Sequence, residues 1–152
     1  MLNIKTIAVP VDFSDVASLL AQYAKDFAKK LGAKIILIYV LEDLTAYEGL
    51  YTSTKILTDL ENMLLEGAEK SMKDFIKKYF SDCSEVEPVI VKGDIVEKII
   101  ETAQKYKADL IIIGTHGRKG LDKILFGSVA EGVVKNSPIP VLTVNPYKYK
   151  IN

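Results

Sequence analysis

Five short runs dominated by Val, Ile and Leu restrict what this chain can fold into. They are residues 6–11 (TIAVPV), 34–41 (KIILIYVL), 86–91 (VEPVIV), 110–114 (LIIIG) and 140–144 (PVLTV). Their hydrophobicity is continuous rather than alternating, which suits strands covered on both faces, as in a parallel sheet. The stretches between them carry helical spacing. Val16, Leu20, Tyr23, Phe27 and Leu31 step by three or four residues, and Gly32 follows as a stop. Leu57, Leu60, Leu64, Ala68, Met72, Phe75 and Tyr79 make a longer stripe, and Ile95, Ile99, Ala103 and Tyr106 a third. Ala130, Val133 and Val134 sit in a short fourth helix closed by Asn136-Ser137-Pro138. With right-handed crossovers, this order predicts a single-domain α/β fold: a five-stranded parallel sheet with helices on both faces. A length of 152 residues suits one domain with a substantial core.

Composition removes several classes of function. Twenty basic residues balance twenty acidic ones, so no net charge draws the chain to nucleic acid or an anionic membrane. Cys83 is the only cysteine and His116 the only histidine, which leaves no internal disulfide and no Cys/His zinc set. No apolar run approaches the roughly twenty residues that a membrane helix needs. The opening Met1-Leu2-Asn3-Ile4-Lys5 leads straight into a strand-like run, so the expectation is a chain without a signal peptide, located in the cytoplasm.

Parallel α/β sheets bind ligands beyond the carboxyl ends of their strands, where strand order reverses. Three segments fall there: residues 10–14, 42–53 and 114–128. The last reads Gly114-Thr115-His116-Gly117-Arg118-Lys119-Gly120-Leu121-Asp122-Lys123-Ile124-Leu125-Phe126-Gly127-Ser128. Glycines admit positive φ and let backbone approach a ligand closely. The helix opened by Gly127-Ser128 offers unpaired N–H groups and a positive dipole end to phosphate. Arg118, the only arginine, lies beside Lys119, and a guanidinium fork suits phosphate oxygens. A second reading needs no ligand: Gly114 and Gly117 turn the chain, Gly127 marks a helix start, and Ser128 with Glu131 forms a capping box. The loop matches neither Gly-x-x-x-x-Gly-Lys-Ser/Thr nor a Gly-x-Gly-x-x-Gly after the first strand, which argues against a P-loop NTPase and a dinucleotide-binding dehydrogenase.

The pattern Gly-x2-Gly-x9-Gly-Ser, met by Gly114, Gly117, Gly127 and Ser128, resembles the ATP-binding motif of the universal stress protein family. Further segments resemble family signatures in the right order: Ile7-Ala8-Val9-Pro10-Val11-Asp12-Phe13-Ser14, Lys92-Gly93-Asp94, Ala108-Asp109-Leu110-Ile111 and Ser137-Pro138-Ile139-Pro140-Val141. The resemblance covers essentially the whole chain and implies a family domain over residues 1–146 with a tail at 147–152. It implies a Rossmann-like sheet of strand order 3-2-1-4-5, as in adenine nucleotide alpha hydrolases, binding ATP with Mg²⁺ or Mn²⁺ carried by the nucleotide. Asp12 would then hold the nucleoside, its carboxylate accepting from hydroxyl or amine donors. Its other reading is a cap or first-turn charge for a helix starting near Ser14. The resemblance also implies that Pro10 and Val11 shape the adenine pocket, that the Val40 backbone meets adenine edge-on, and that Ile113 lines the base. Gly114 and Gly117 would wrap the phosphates, and Gly127, Ser128, Val129 and Ala130 would supply N–H groups and a hydroxyl. A phosphate role for Arg118 and Lys119 rests on charge alone; solvated loop charges are the other reading. The resemblance further implies a homodimer joined through the last strand, Pro140-Val141-Leu142-Thr143-Val144.

No catalytic centre assembles persuasively from these residues. Asp12, His116 and Ser128 can be written as a triad, but they come from separate loops and no Gly-x-Ser-x-Gly elbow is present. Cys83 lies in Ser81-Asp82-Cys83-Ser84-Glu85, where neighbouring acids raise its pKa and oppose a thiolate role. The expectation is a nucleotide-dependent regulatory protein of the stress response, with an unidentified protein partner. The alternatives are a nucleotide-utilising enzyme (a slow ATPase or nucleotidyl transferase) and an interaction module with an empty cleft. Segment 42–53, with Tyr47 and Tyr51, is long for a strand-to-helix connection and reads as a lid or partner contact, or as a plain surface loop.

Overall fold

A computed structural model describes residues 1–47, 49, 53–116 and 126–147. Five parallel strands, β1 (Thr6–Pro10), β2 (Lys34–Leu41), β3 (Val86–Lys92), β4 (Leu110–Gly114) and β5 (Val141–Val144), lie in the order β3-β2-β1-β4-β5. Between them run α1 (Ala17–Leu31), α2 (Thr54–Tyr79), α3 (Ile95–Lys105) and α4 (Ser128–Asn136), with a short 3-10 helix, Leu44–Tyr47, after β2. The predicted order of elements and the predicted sheet are thus those observed. Gly32 ends α1 in the left-handed conformation, φ 64°.

Continuous apolar strands are explained by a sheet covered on both faces. Successive side chains alternate between two cores. Ile7, Val9, Ile35, Leu37 and Ile112 pack with Leu20 and Ala24 of α1 and with Met72 and Phe75 of α2. Ala8, Ile36, Ile38, Ile111 and Ile113 pack with Ile99 and Ala103 of α3 and with Ala130 and Val133 of α4. Some residues of the predicted stripes do not face a core. Leu31, Leu60, Leu64 and Val134 are exposed. A residue turns 100° about the helix axis, so Val134 falls away from buried Val133, and Leu60 and Leu64 fall beside the face set by Leu57, Ala68, Met72 and Phe75.

The two edges of the sheet differ. At β3, the Ile35 N–H donates to the Glu85 carbonyl, so the odd-numbered residues of β3 bond to β2 and the even-numbered ones face outward. Pro88 is among the latter, and its missing N–H falls on the open edge. At β5, the Ile111 and Thr115 N–H groups donate to the Pro140 and Val144 carbonyls. Val141 and Thr143 therefore turn their N–H and C=O groups outward, unobstructed by proline.

Candidate functional site

The order reversal falls between β1 and β4, where α1 and α4 depart to opposite faces. At the end of β1, the buried Val11 donates its N–H to the Ile38 carbonyl at 2.9 Å. The chain then leaves the sheet through Phe13, which takes φ 60°, a strained value for a residue with a Cβ. The Phe13 ring compensates by stacking on Tyr39 at 4.6 Å and meeting Phe75 edge-on at 5.8 Å. Asp12, half-buried at this turn, accepts from the Ser14 N–H at 3.0 Å and the Ser14 hydroxyl at 2.6 Å, both on Oδ1. It does not cap α1. That helix begins at Ala17, with Val16 in the cap position and no acid in its first turn.

Early departure of β1 has a consequence for Val40. Lys34 and Ile38 bond toward β1, so by strand parity the Val40 backbone also faces β1. β1 ends at Pro10, opposite Ile38, two residues short of Val40. No backbone hydrogen bond to Val40 from that side is present among the described residues. Its N–H and C=O therefore form an open polar edge next to the Asp12 turn, with the Val40 side chain buried on the α3/α4 face.

At the end of β4, Ile113 is buried on the same face as Val40, and Gly114 closes the strand against β5. The Gly127 N–H donates to the Thr115 carbonyl at 2.6 Å, which ties the start of α4 to the end of β4. Gly127 has φ −72° and Gly114 is not a positive-φ residue, so neither is needed for left-handed backbone. Close approach requires them instead. A Cβ on Gly127 would stand 3.1 Å from the Thr115 carbonyl oxygen, and one on Gly114 3.3 Å from that of His116. Gly132 does the same for the body of α4, where a Cβ would meet Val96 of α3 at 2.8 Å.

The capping-box reading of Ser128 does not hold. Gly127 is the cap residue, Ser128 is the first helical residue, and among the described residues no side chain caps the tip. Glu131 instead binds Lys135 at 2.7 Å. The N–H groups of Ser128, Val129 and Ala130 lie in the first turn, where no intrahelical carbonyl can accept from them. Gly117, Arg118 and Lys119 lie outside the described residues, as does Tyr51. The structure thus gathers Pro10, Val11, Asp12, Val40, Ile113, Gly114, Gly127, Ser128, Val129 and Ala130 at one end of the sheet, on its strand ends and the tip of α4.

Sequence reasoning missed the neighbouring wall. A crevice of about 490 Å³ opens from Ser128 and Val129 toward Glu42, Asp43, Asp94 and Ile95. Asp94 caps α3 by accepting from the Glu97 N–H at 2.9 Å. Asp43 accepts from the Thr45 N–H at 2.9 Å, and that bond, followed by the Thr45 hydroxyl and then Lys92, holds its carboxyl below the usual range. The acid-rich start of segment 42–53 was the available signal. Among the described residues no cluster of three or more His, Cys, Asp or Glu is arranged to hold a metal ion.

His116 is buried beside Thr115, with Nδ1 2.8 Å from the Thr115 hydroxyl and its ring edge-on to Tyr147 at 4.9 Å. Among the described residues Asp12 bonds to Ser14 and His116 to Thr115, contacts that do not assemble the written triad. Burial first, then Asp82, pushes the Cys83 thiol up, as its acidic setting predicts.

These features define an α/β protein whose five-stranded parallel sheet carries a glycine-led helix tip at its order reversal. The chain belongs to the universal stress protein family, whose family model matches residues 3–145. It is 37% identical over 147 residues to universal stress protein MJ0531 of Methanocaldococcus jannaschii, covering 95% of this chain and 84% of that protein. It is 35% identical to universal stress protein MJ0577 of the same organism, covering 92% and 94%. The solved structure of MJ0577 superposes with a TM-score of 0.81 over 99% of this chain and all of that one, at 31% identity. Two more distant solved members share the fold: a universal stress protein in complex with cAMP (TM-score 0.61, 23% identity, 95% and 99% covered) and one from Archaeoglobus fulgidus in complex with dAMP (0.64, 21%, 95% and 100%). No helix among the described residues is long and apolar enough to cross a membrane.

Proposed function

We propose that this protein binds ATP at the crest of the sheet and acts as a nucleotide-dependent regulatory protein. The carrying observation is the tip of α4: first-turn N–H groups that, among the described residues, have no side-chain cap, fixed beside β4 by the Gly127–Thr115 hydrogen bond. Phosphates would sit there, wrapped by the loop holding Gly117, Arg118 and Lys119. The open backbone edge of Val40 offers one donor and one acceptor to adenine, with Pro10, Val11 and Ile113 as apolar walls and Asp12 toward the ribose. Relatives in complex with cAMP and dAMP support an adenine nucleotide. Glu42, Asp43 and Asp94 oppose a bare polyanion across the crevice, so Mg²⁺ would travel with the phosphates rather than occupy a protein cage. Regulation is preferred to turnover: among the described residues Glu131 is paired with Lys135 and the His116 Nδ1 with the Thr115 hydroxyl, while the buried His116 Nε2 has no partner that would orient it as a base.

The open edge of β5 carries the oligomer reading. Val141 and Thr143 present outward donors and acceptors that a second β5 can meet about a two-fold axis, giving a homodimer. The test of the nucleotide reading is direct. Purified protein is denatured and its supernatant analysed for adenine nucleotides; stripped protein is then titrated with Mg·ATP. Bound ATP, lost on Gly127→Val, is expected. A folded protein that ignores millimolar ATP ends this reading.

A further inference from the structure

The N-terminal half of α2 contributes little to the chain's own core: within residues 54–67 only Leu57 is buried and only Glu61 half-buried. Yet this half is not polar. Ile56, Leu60, Met63 and Leu64 are 54, 42, 69 and 44% exposed. They recur at i, i+4, i+7 and i+8, a single helix face. Gly67 continues that face, and a Cβ there would meet nothing within 4 Å. Single exposed leucines need no explanation, but a contiguous apolar stripe marks a contact surface.

We propose that this stripe joins two copies of the chain, packed as antiparallel helices about a two-fold axis. Charge argues for a second copy rather than a foreign partner. Asp59 and Lys70 lie along one flank of the stripe, eleven residues or three turns apart. Neither is in an ion pair among the described residues. In a two-fold antiparallel pair each flank meets its own counterpart running the other way. An axis crossing the helix midway, between Leu64 and Leu65, sets Asp59 of each copy against Lys70 of the other. The same axis brings the two Leu64 side chains together and places Met63, the most exposed of the stripe, opposite the bare Gly67 of the second copy. None of these residues lines the crevice at the α4 tip, so the contact stands or falls independently of nucleotide binding.

Leu60→Glu, at a position the fold leaves exposed, is expected to halve the light-scattering mass while far-ultraviolet dichroism is unchanged. Asp59→Lys alone and Lys70→Asp alone should each weaken self-association about tenfold, and the double exchange should restore it. In a Cys83→Ser background, Leu64→Cys should link to its counterpart under mild oxidation, whereas Glu69→Cys on the opposite face should not. A mass indifferent to Leu60→Glu, a double exchange that restores nothing, or equal linking from both cysteines overturns the proposal. So does a stripe that captures a different protein while the chain itself remains unassociated through it.

Discussion

Ser128→Pro tests the phosphate cradle by deleting one N–H and one hydroxyl while leaving the helix in place. Ser128 is the first residue of α4, where proline is well tolerated because its N–H has no intrahelical acceptor and its fixed φ is already helical. Gly127 before it has φ −72° and ψ 160°, the extended backbone that a residue preceding proline prefers. The cost to folding is therefore near zero. The cost to binding is not. A hydrogen bond to a charged group contributes about 1.5–3 kcal/mol, and losing one such bond to a phosphate raises Kd by roughly 10- to 150-fold. Calorimetric titration with Mg·ATP gives the ratio, and a thermal melt of the unliganded protein gives the control. An unchanged Kd alongside an unchanged melting midpoint would refute the assignment of phosphate to this tip.

Gly132→Ala places a Cβ 2.8 Å from Val96 of α3; valine is stiff in a helix, so the pair must separate, costing ~1–3 kcal/mol and several degrees of melting midpoint, with Val96→Ala relieving most of it. Thr143→Pro removes an outward N–H from β5 and should halve the light-scattering mass by breaking the β5 pairing, while Val89→Pro, which removes a bond to β2, should instead destabilise the fold. The raised Cys83 thiol should alkylate more slowly with iodoacetamide at pH 8 than free cysteine. Because that pKa is raised in the folded state, its contribution to stability is present below the unfolded thiol's pKa and is lost as pH rises through the folded value; urea midpoints measured from pH 7 to 10 check the sign.

Most of the fold was legible because one physical constraint repeats along the chain. A strand buried on both faces must be apolar at every position, and Ile35-Ile36-Leu37-Ile38 serves two cores at once. Boundaries were less legible where tertiary packing decides them. Nothing local says that β1 stops at Pro10, opposite Ile38, while β2 runs on to Leu41, yet that three-residue overhang exposes the Val40 edge. At the site, the helix tip was legible from Gly127-Ser128, but the reason for the glycine was not. The crowding carbonyl belongs to Thr115, twelve residues away, and only the folded chain brings them together. The acidic wall escaped because Glu42 and Asp94 follow different strands and become neighbours only through the pairing of β2 with β3.

The proline in β3 reaches beyond that strand. A border blunted by proline is the poorer template, so the sheet is more readily lengthened from the other, and two chains that meet there use up that border in each. The backbone ladder would then close at ten strands, with a Pro88 guarding each outer side. Any larger assembly would have to be built from side chains, and the amyloid-like stacking that threatens flat, open-ended sheets is denied a continuing template.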